Sequence, residues 1–220
     1  MREYIQRNKW TILANLLIAA VTLLPMLAGV ILWDRLPEQV ATHWGADGEP
    51  NGWSSRSFAV FGMPLFLLAL HFVCVAVSER GGTVVGNNPK LMRIVHGLCP
   101  AISLIAGYAI YSHALGASFD MNTPALLLLG ALFMVVGNYL PKCTRNRYLG
   151  IKLPWTLADD DNWRATHRLG GRVWMAAGFI LLLCALLPAQ AGVYAGLIVL
   201  LLAVLIPTVY SYHYHKTHSR

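Results

Sequence analysis

Charged residues are scarce in this chain of 220 residues: they make up 12% of it, against about 25% in an average soluble domain. Five stretches contain no charged residue at all and together account for 136 residues; they are residues 10–33, 57–78, 94–119, 121–141 and 173–215. A helix needs roughly 20 apolar residues to cross a bilayer, so the chain is predicted to be a polytopic membrane protein. This pattern argues against a soluble enzyme, a disordered chain and a nucleic-acid binder.

Signatures of catalysis and of cofactor binding are also missing. The four cysteines are widely separated and form no CxxC pair, so neither a disulfide framework nor a zinc site is predicted. There is no Walker loop, no GxGxxG, no HExxH and no GxSxG. We therefore expect no enzymatic activity, no metal and no cofactor. The charge-free stretches also lack the intramembrane acidic residues that ion-coupled pumps usually need.

The charge-free stretches predict six membrane-spanning helices. Four of them fit one helix each, whereas the fifth is about twice too long and is interrupted at residues 188–192 by Pro-Ala-Gln-Ala-Gly, a turn signal. Backbone groups in lipid must be bonded internally, so each span is a helix. The predicted fold is all-α, a bundle of six transmembrane helices with one short cytoplasmic amphipathic helix. The spans are predicted near residues 10–33, 58–78, 92–115, 124–140, 171–188 and 194–212.

Lysine and arginine predict the orientation of the bundle. Fifteen of the 17 basic residues fall on alternate connecting segments, and only Arg35 and Arg56 fall on the others. Because cytoplasmic loops carry the excess of basic residues, both termini and the second and fourth loops are predicted to be cytoplasmic. The net charge of +7 follows from this bias and indicates contact with anionic lipid headgroups rather than with nucleic acid. The N-terminus resembles a signal peptide, but its long apolar run predicts a retained anchor.

The first outward loop, residues 34–57, is rich in glycine and tryptophan. Gln39–Trp44 alternates weakly between apolar and polar residues, as a short strand does. The three glycines that follow, with a proline and an asparagine, predict consecutive turns. We interpret the loop as a compact cap open to an external ligand, with His43, Trp44 and Trp53 as candidate contacts. A metal site built on His43 and the loop's acidic residues is disfavoured, because their spacing fits no standard ligand set.

The cytoplasmic loop at residues 142–171 contains a predicted helix start. Thr156 as N-cap and Asp159 three residues later form a capping box, which predicts a short amphipathic helix along the membrane face. Asp160, Arg164 and Arg168 follow at positions i, i+4 and i+8 and predict a charged stripe.

A neighbouring stripe on the same predicted helix contains Asp159, Trp163 and His167. Two interpretations stay open: a solvated connector, or a recognition or gating element. The candidate residues of such an element are Trp155, Trp163, His167 and Arg168. His167 beside an aspartate would also form an acid–base pair, although no nucleophile or cofactor loop accompanies it.

Two segments carry a family resemblance. The outer loop, Leu36-Pro37…His43-Trp44…Gly48-Glu49-Pro50-Asn51-Gly52-Trp53-Ser54, resembles a bacterial domain of unknown function that often precedes SdpI-like segments. The cytoplasmic loop resembles the hallmark of the SdpI family, with Lys152 where arginine is common. Its matching residues are Asn146…Gly150-Ile151-Lys152-Leu153-Pro154-Trp155-Thr156-Leu157…Trp163…Thr166-His167-Arg168…Gly170-Gly171. The resemblance implies an N-terminal two-span segment, residues 1–90, and a four-span SdpI-like segment, residues 91–220.

The resemblance implies an integral membrane immunity protein of the bacterial cytoplasmic membrane. Its expected partners are an extracellular peptide toxin, membrane lipids and, if it signals as the best-known member of the family does, a cytosolic transcriptional repressor. The ligand- or partner-binding residues expected from the two loops are His43, Trp44, Trp53, Asn146, Trp155, Trp163, His167 and Arg168.

Two alternatives from other classes stay open. A permease for a small lipophilic solute would need a polar cavity between spans, lined by Asn15, His71 or His96. A membrane-bound enzyme would use His167 with Asp159.

Overall fold

The computed structural model describes residues 2–79, 89–117, 120–147 and 150–218. Within these residues, seven α-helices and one two-stranded hairpin follow one another. The helices are α1 (Arg2–Ile31), α2 (Met63–Glu79), α3 (Pro89–Ala114), α4 (Asn122–Tyr139), α5 (Pro154–Ala158), α6 (Asp160–Cys184) and α7 (Ala189–His218). The strands are β1 (Gln39–Trp44) and β2 (Pro50–Ser55). Arg80 and Arg220, two of the basic residues that predict the orientation of the bundle, lie outside the described residues.

Four helical segments are long and apolar enough to cross a membrane. They are Ile12–Ile31, Phe58–Ala76, Asn122–Lys142 and Ala189–His218. Helices α3 and α6 are present where two further spans were predicted, but among the described residues they do not meet the same criteria. In α6 the reason is visible in the sequence, since the five charged residues of its first 13 positions leave only residues 173–184 free of charge. The chain is a mostly helical, multi-pass membrane protein, and the count of six spans stays a prediction.

The expectation of an all-α fold is corrected by the hairpin. The prediction of a strand at Gln39–Trp44 is confirmed, but the segment predicted to form consecutive turns contains β2, which pairs antiparallel with β1. Glycine and proline made β2 look like a turn. The register is irregular around His43, which lies opposite Gly52. A Cβ at Gly52 would lie 2.8 Å from Cβ of His43, so only glycine fits beneath this histidine.

The chain divides into two compact units, Met1–Gly45 with Pro50–Phe119, and Ala46–Glu49 with Asp120–Arg220. In the first unit, α1 and α3 pack side by side and run parallel. Ser103 Oγ donates to the carbonyl of Thr22 at 2.7 Å, and Tyr111 Oη donates to that of Pro25 at 2.9 Å. Between them, a Cβ at Gly107 would lie 2.5 Å from Cβ of Pro25. A glycine is therefore required where the two helices approach most closely.

The hairpin of the first unit covers one end of this helix packing. Its buried Val40 joins Leu36, Val60 and Ile110 in one apolar cluster. This cluster brings together β1, the turn before it, the residues that lead into α2, and the last turns of α3. The hairpin is thus held against the helices by its apolar side, which leaves the other side open.

In the second unit, α4 and α6 pack through facing glycines. A Cβ at Gly130 would lie 2.8 Å from the carbonyl oxygen of Gly178, and a Cβ at Gly137 would lie 2.9 Å from that of Gly171. These pairs are two turns apart on each helix and define a glycine seam. Apolar side chains gain little from association in lipid, so such close backbone packing supplies much of the attraction between spans.

The predicted short amphipathic helix is not a separate element. Residues 160–184 form one continuous helix, and Gly170-Gly171 do not interrupt it. The N-cap is Asp159, whose Oδ1 accepts from the amide of Asp161 at 2.8 Å. Thr156 instead lies at the third position of the single-turn helix α5, and its hydroxyl accepts from the amide of Leu153 at 2.9 Å. The prediction of Thr156 as N-cap is therefore wrong.

Candidate functional site

The hairpin and α3 of the first unit together form a cluster of aromatic rings made of Trp44, Trp53 and His113, which we call the outer aromatic cluster because the hairpin is predicted to face outward. The ring of His113 packs edge-on against Trp44, with centroids 6.1 Å apart, and lies 6.3 Å from Trp53. Trp53 is 57% exposed despite this contact. A large, rigid and half-exposed aromatic side chain is the type of anchor on which binding energy concentrates in protein interfaces.

The other predicted residues of this loop are held by local contacts. His43 is exposed, and its Nδ1 lies in hydrogen-bond contact with the side-chain oxygen of Asn51 across the hairpin. The indole N–H of Trp44 is buried and has no hydrogen-bond partner within the described residues. The structure therefore brings Trp44 and Trp53 to the same histidine, whereas His43 pairs with Asn51.

Sequence reasoning missed Arg56, which stabilises the base of the hairpin. Its Nη1 donates to the carbonyls of Trp33 and Leu36 at 2.7 and 2.9 Å. Its guanidinium carbon lies 4.3 Å from the centroid of the Trp33 ring, a cation–π geometry. Arg56 thus binds the carbonyls of the turn that follows α1, and nothing in the spacing of the sequence indicated this pairing.

The loop at residues 142–171 of the second unit, which is predicted to be cytoplasmic and is called the cytoplasmic motif, is organised around His167, which is 1% exposed. The amide of Ile151 donates to Nε2 at 3.0 Å, and Nδ1 lies 2.8 Å from the carbonyl oxygen of Trp163. Because Nε2 accepts a hydrogen bond, Nδ1 must carry the proton and donate it, which defines the neutral tautomer. Burial lowers the pKa of His167, while the bond to the Trp163 carbonyl opposes that change.

The predicted acid–base pair of His167 and Asp159 is not formed. Both imidazole nitrogens of His167 are bonded to backbone groups, and the Asp159 carboxylate caps α6. The predicted charged stripe is also differently paired: Arg164 bonds Asp161 at 2.6 Å, and Arg145 bonds Asp160 at 2.8 Å. The geometry for acid–base chemistry expected of the enzyme alternative is therefore absent at this histidine.

Trp163 connects the loop to the helix beneath it. It is 1% exposed, stacks on His167 with ring centroids 3.9 Å apart, and donates from Nε1 to the carbonyl of Cys143 at 2.8 Å. Gly150 packs on both rings with a φ of +118°, and a Cβ there would collide with His167 Nε2 and Trp163. Glycine is required at this position for its backbone conformation and for space.

A buried network joins α5, α6 and α7, and we call it the Asn162 network. Ser211 Oγ donates to Asn162 Oδ1 at 3.1 Å and accepts from Trp155 Nε1 at 2.7 Å. Asn162 Nδ2 in turn donates to the Ser211 carbonyl at 3.0 Å, and Thr166 Oγ1 donates to Asn162 Oδ1 at 2.9 Å. Only Trp155 was predicted as a site residue, because the hallmark was read as a surface rather than as a packed core.

The remaining predicted residues lie at the surface of this motif. Asn146 is half-buried, and its side chain donates to the carbonyl of Thr144 at 2.8 Å. Arg168 is exposed and forms no hydrogen bond or ion pair with the part of the chain that the structure describes. Trp163 and His167 therefore shape the motif from inside, whereas Arg168 faces outward.

Both segments correspond to known protein families. Residues 142–211 match the SdpI/YfhL protein family, and residues 20–68 match a domain of unknown function, DUF1648. The chain is thus similar to SdpI-like proteins in both of the segments where the two loops predicted the resemblance. Over 204 residues it is 24% identical to the immunity protein SdpI of Bacillus subtilis (strain 168), covering 92% of this chain and 96% of that relative. No solved structure matches it.

Proposed function

We propose that this chain is an integral membrane immunity protein that protects its cell against an antimicrobial peptide toxin. The observation that carries the proposal is the outer aromatic cluster, in which Trp53 is 57% exposed above His113 on an ordered hairpin. Similarity to an immunity protein over almost the whole chain supports the same function. In this proposal, Trp53, Trp44 and His43 meet the toxin at the outer face.

The direct test is protection of a toxin-sensitive bacterial strain that expresses this chain. Trp53→Ala should abolish protection while leaving expression and thermal stability unchanged, because most of the side chain is exposed. Tyr194→Ala removes another aromatic side chain of similar exposure, 54%, from the second unit and should leave protection intact. Equal killing of cells with and without the unmodified protein, across a panel of toxin peptides, would refute the proposal.

We also propose a cytosolic regulator, such as a transcriptional repressor, as a partner of the cytoplasmic loop. The half-buried Asn146 and the exposed Arg147 would contact it, whereas Trp163 and His167 are buried and would act by holding the loop in place. Arg147→Glu should abolish capture of the repressor in membranes without affecting protection. If retention of the repressor does not change, this loop edge is not its binding site.

The permease alternative is supported by a group of polar side chains in the first unit. Thr22 of α1 is level with Ser103 of α3, because the two are hydrogen-bonded. Since α1 and α3 run parallel, the residues two helical turns earlier, Asn15 and His96, are level with each other as well. His71 of α2 packs against His96 with ring centroids 5.5 Å apart, and neither of its ring nitrogens has a hydrogen-bond partner in the described residues. Three helices therefore bring polar groups to one depth.

The burial of His71 argues against a permanently open permeation path. His71 is 0% exposed, so the polar group lies within closed packing rather than in an open path. A permease would have to open here. Flux of small lipophilic solutes into vesicles containing the protein would support it, provided that His71→Leu abolishes the flux; flux equal to that of empty vesicles would exclude it.

A further inference from the structure

The outer aromatic cluster contains one residue that was not among those predicted for this site, His113. It lies in the last turn of α3, far from the hairpin in the sequence. Its ring contacts both tryptophans of the hairpin, with centroids 6.1 Å from Trp44 and 6.3 Å from Trp53. Helix α3 thus supplies a side chain to a site that otherwise belongs to the strands.

The end of α3 that carries His113 is held in place by its own packing. Ile110, one turn earlier, belongs to the buried apolar cluster that contains Val40 of β1. Tyr111 Oη donates to the carbonyl of Pro25 in α1 at 2.9 Å. The imidazole of His113 therefore projects from backbone that is fixed against both β1 and α1.

Trp53, in contrast, has few other contacts that could orient it. Its side chain is 57% exposed, and its partner across the hairpin is the small Ala41. Within the described residues its indole forms no hydrogen bond, and the aromatic ring that it contacts is that of His113. Trp44 differs, because it also packs against the buried apolar cluster. The orientation of Trp53 thus depends on His113 more than that of Trp44 does.

We propose that His113 is a positioning residue of the toxin site, which holds the ring of Trp53 in the orientation that meets the peptide. This inference rests on the proposed function of the outer aromatic cluster. A side chain that is ordered before binding loses less conformational entropy in the complex, so a rigid aromatic anchor binds more tightly than a mobile one. His113 acts on the toxin through Trp53 and makes the affinity of the hairpin depend on α3.

The first measurement is protection of cells that express the whole chain, with a toxin peptide against which the unmodified chain protects. His113→Ala should lower the toxin concentration that these cells survive by about fivefold, because Trp53 becomes free to rotate. His113→Phe keeps a flat ring at the same place and should restore protection. Ser112→Ala is the control, since the Ser112 hydroxyl bonds the Tyr108 carbonyl of its own helix at 2.6 Å, and should protect fully.

The second measurement reports the mobility of Trp53 itself. Fluorotryptophan is incorporated into the whole chain in detergent, and the fluorine resonance of Trp53 is assigned by its loss in Trp53→Phe. This resonance should narrow in His113→Ala, because a mobile ring relaxes more slowly. It should keep its natural linewidth in His113→Phe and in Ser112→Ala.

Three results would overturn the positioning role. An unchanged Trp53 linewidth in His113→Ala would show that the histidine does not hold the ring. Full protection by His113→Ala despite a narrowed resonance would show that the orientation of Trp53 does not matter to the toxin. Equal loss of protection in His113→Phe and His113→Ala would show that the imidazole nitrogens are needed, rather than a packed ring.

Failure of the proposed function gives a different result. In that case the unmodified chain does not protect against any peptide, or Trp53→Ala protects as well as the unmodified chain does. Either result would refute the toxin site and the positioning role together. The Trp53 linewidth would then still show whether His113 orders the ring, so the two failures are distinguishable.

Discussion

The backbone amide of Ile151 donates a hydrogen bond to Nε2 of His167, 16 residues later in the chain. A histidine that accepts at Nε2 and donates at Nδ1 is neutral, and protonation would remove the acceptor that Ile151 uses. The loop that precedes α6 is therefore held to this helix by a hydrogen bond that depends on the charge of one imidazole.

The first prediction is a loss of stability in acid. Burial holds the pKa of His167 below its ordinary value of 6.5, so the unfolded chain takes up a proton at this residue before the folded chain does. The stabilisation is complete above pH 6.5 and falls as the pH drops through the lower folded pKa. Thermal unfolding in detergent between pH 7.5 and 5 should show a steeper loss for the natural chain than for His167→Gln. The exposed His218→Gln should behave like the natural chain; an identical pH slope in all three would contradict the prediction.

The second prediction concerns Gly150. Gly150→Ala forces a side chain into a φ of +118° and places Cβ against His167 and Trp163, so we expect a destabilisation of about 2–3 kcal/mol. Gly116→Ala is the matched control, because Gly116 has a φ of +86° and a Cβ there would meet no described atom within 4 Å. Gly116→Ala reports the backbone strain alone. If the two variants have equal thermal stability, the contact with His167 contributes nothing.

The third prediction concerns the glycine seam between α4 and α6. Gly137→Ala and Gly178→Ala should each lower the melting temperature, because a methyl group at either position meets backbone atoms closer than 3 Å. In α3, a Cβ at Gly97 meets nothing within 4 Å among the described residues, so Gly97→Ala should be neutral or stabilise by up to about 1 kcal/mol. If neither Gly137→Ala nor Gly178→Ala lowers the melting temperature, close packing at the glycine seam does not hold α4 against α6.

The fourth prediction is the number of spans. With six spans, residue 147 faces the cytoplasm and residue 117 faces outward; with only the four most apolar helices spanning, both positions change sides. Reporter insertions after these residues separate the two topologies, since alkaline phosphatase is active outside and green fluorescent protein fluoresces inside. We expect fluorescence after residue 147 and phosphatase activity after residue 117. Both topologies have an even number of spans and put the C-terminus on the side of the N-terminus, which is predicted to be cytoplasmic, so a C-terminal reporter serves as the control.

The helices were well predicted because an uncharged stretch of about 20 residues is a long signal that few structures other than a membrane-spanning helix contain. The extent of β1 was predicted by its alternation, but its partner β2 was not, because Pro50 and Gly52 are typical of turns. What decides the pairing is the fit of His43 over Gly52, a contact between strands that no local pattern contains.

The cytoplasmic motif shows the same limit. Helical spacing placed His167 next to Asp159, whereas the structure bonds His167 to Ile151 and to the Trp163 carbonyl. The choice depends on a loop that folds back over α6, which becomes possible because Gly150 adopts a positive φ. Ser211 and Asn162, 49 residues apart, could not have been paired from spacing at all.

The continuity of α6 from Asp160 to Cys184 has a mechanical consequence. A helix of 25 residues is a rod about 37 Å long, with Trp163 and His167 near one end and Gly178 toward the other. If this rod pivots at the glycine seam, a tilt of about 5° displaces its end at Asp160 by about 2 Å. The second unit thus contains a lever arm that spans from the lipid-facing helices to the loop that His167 secures.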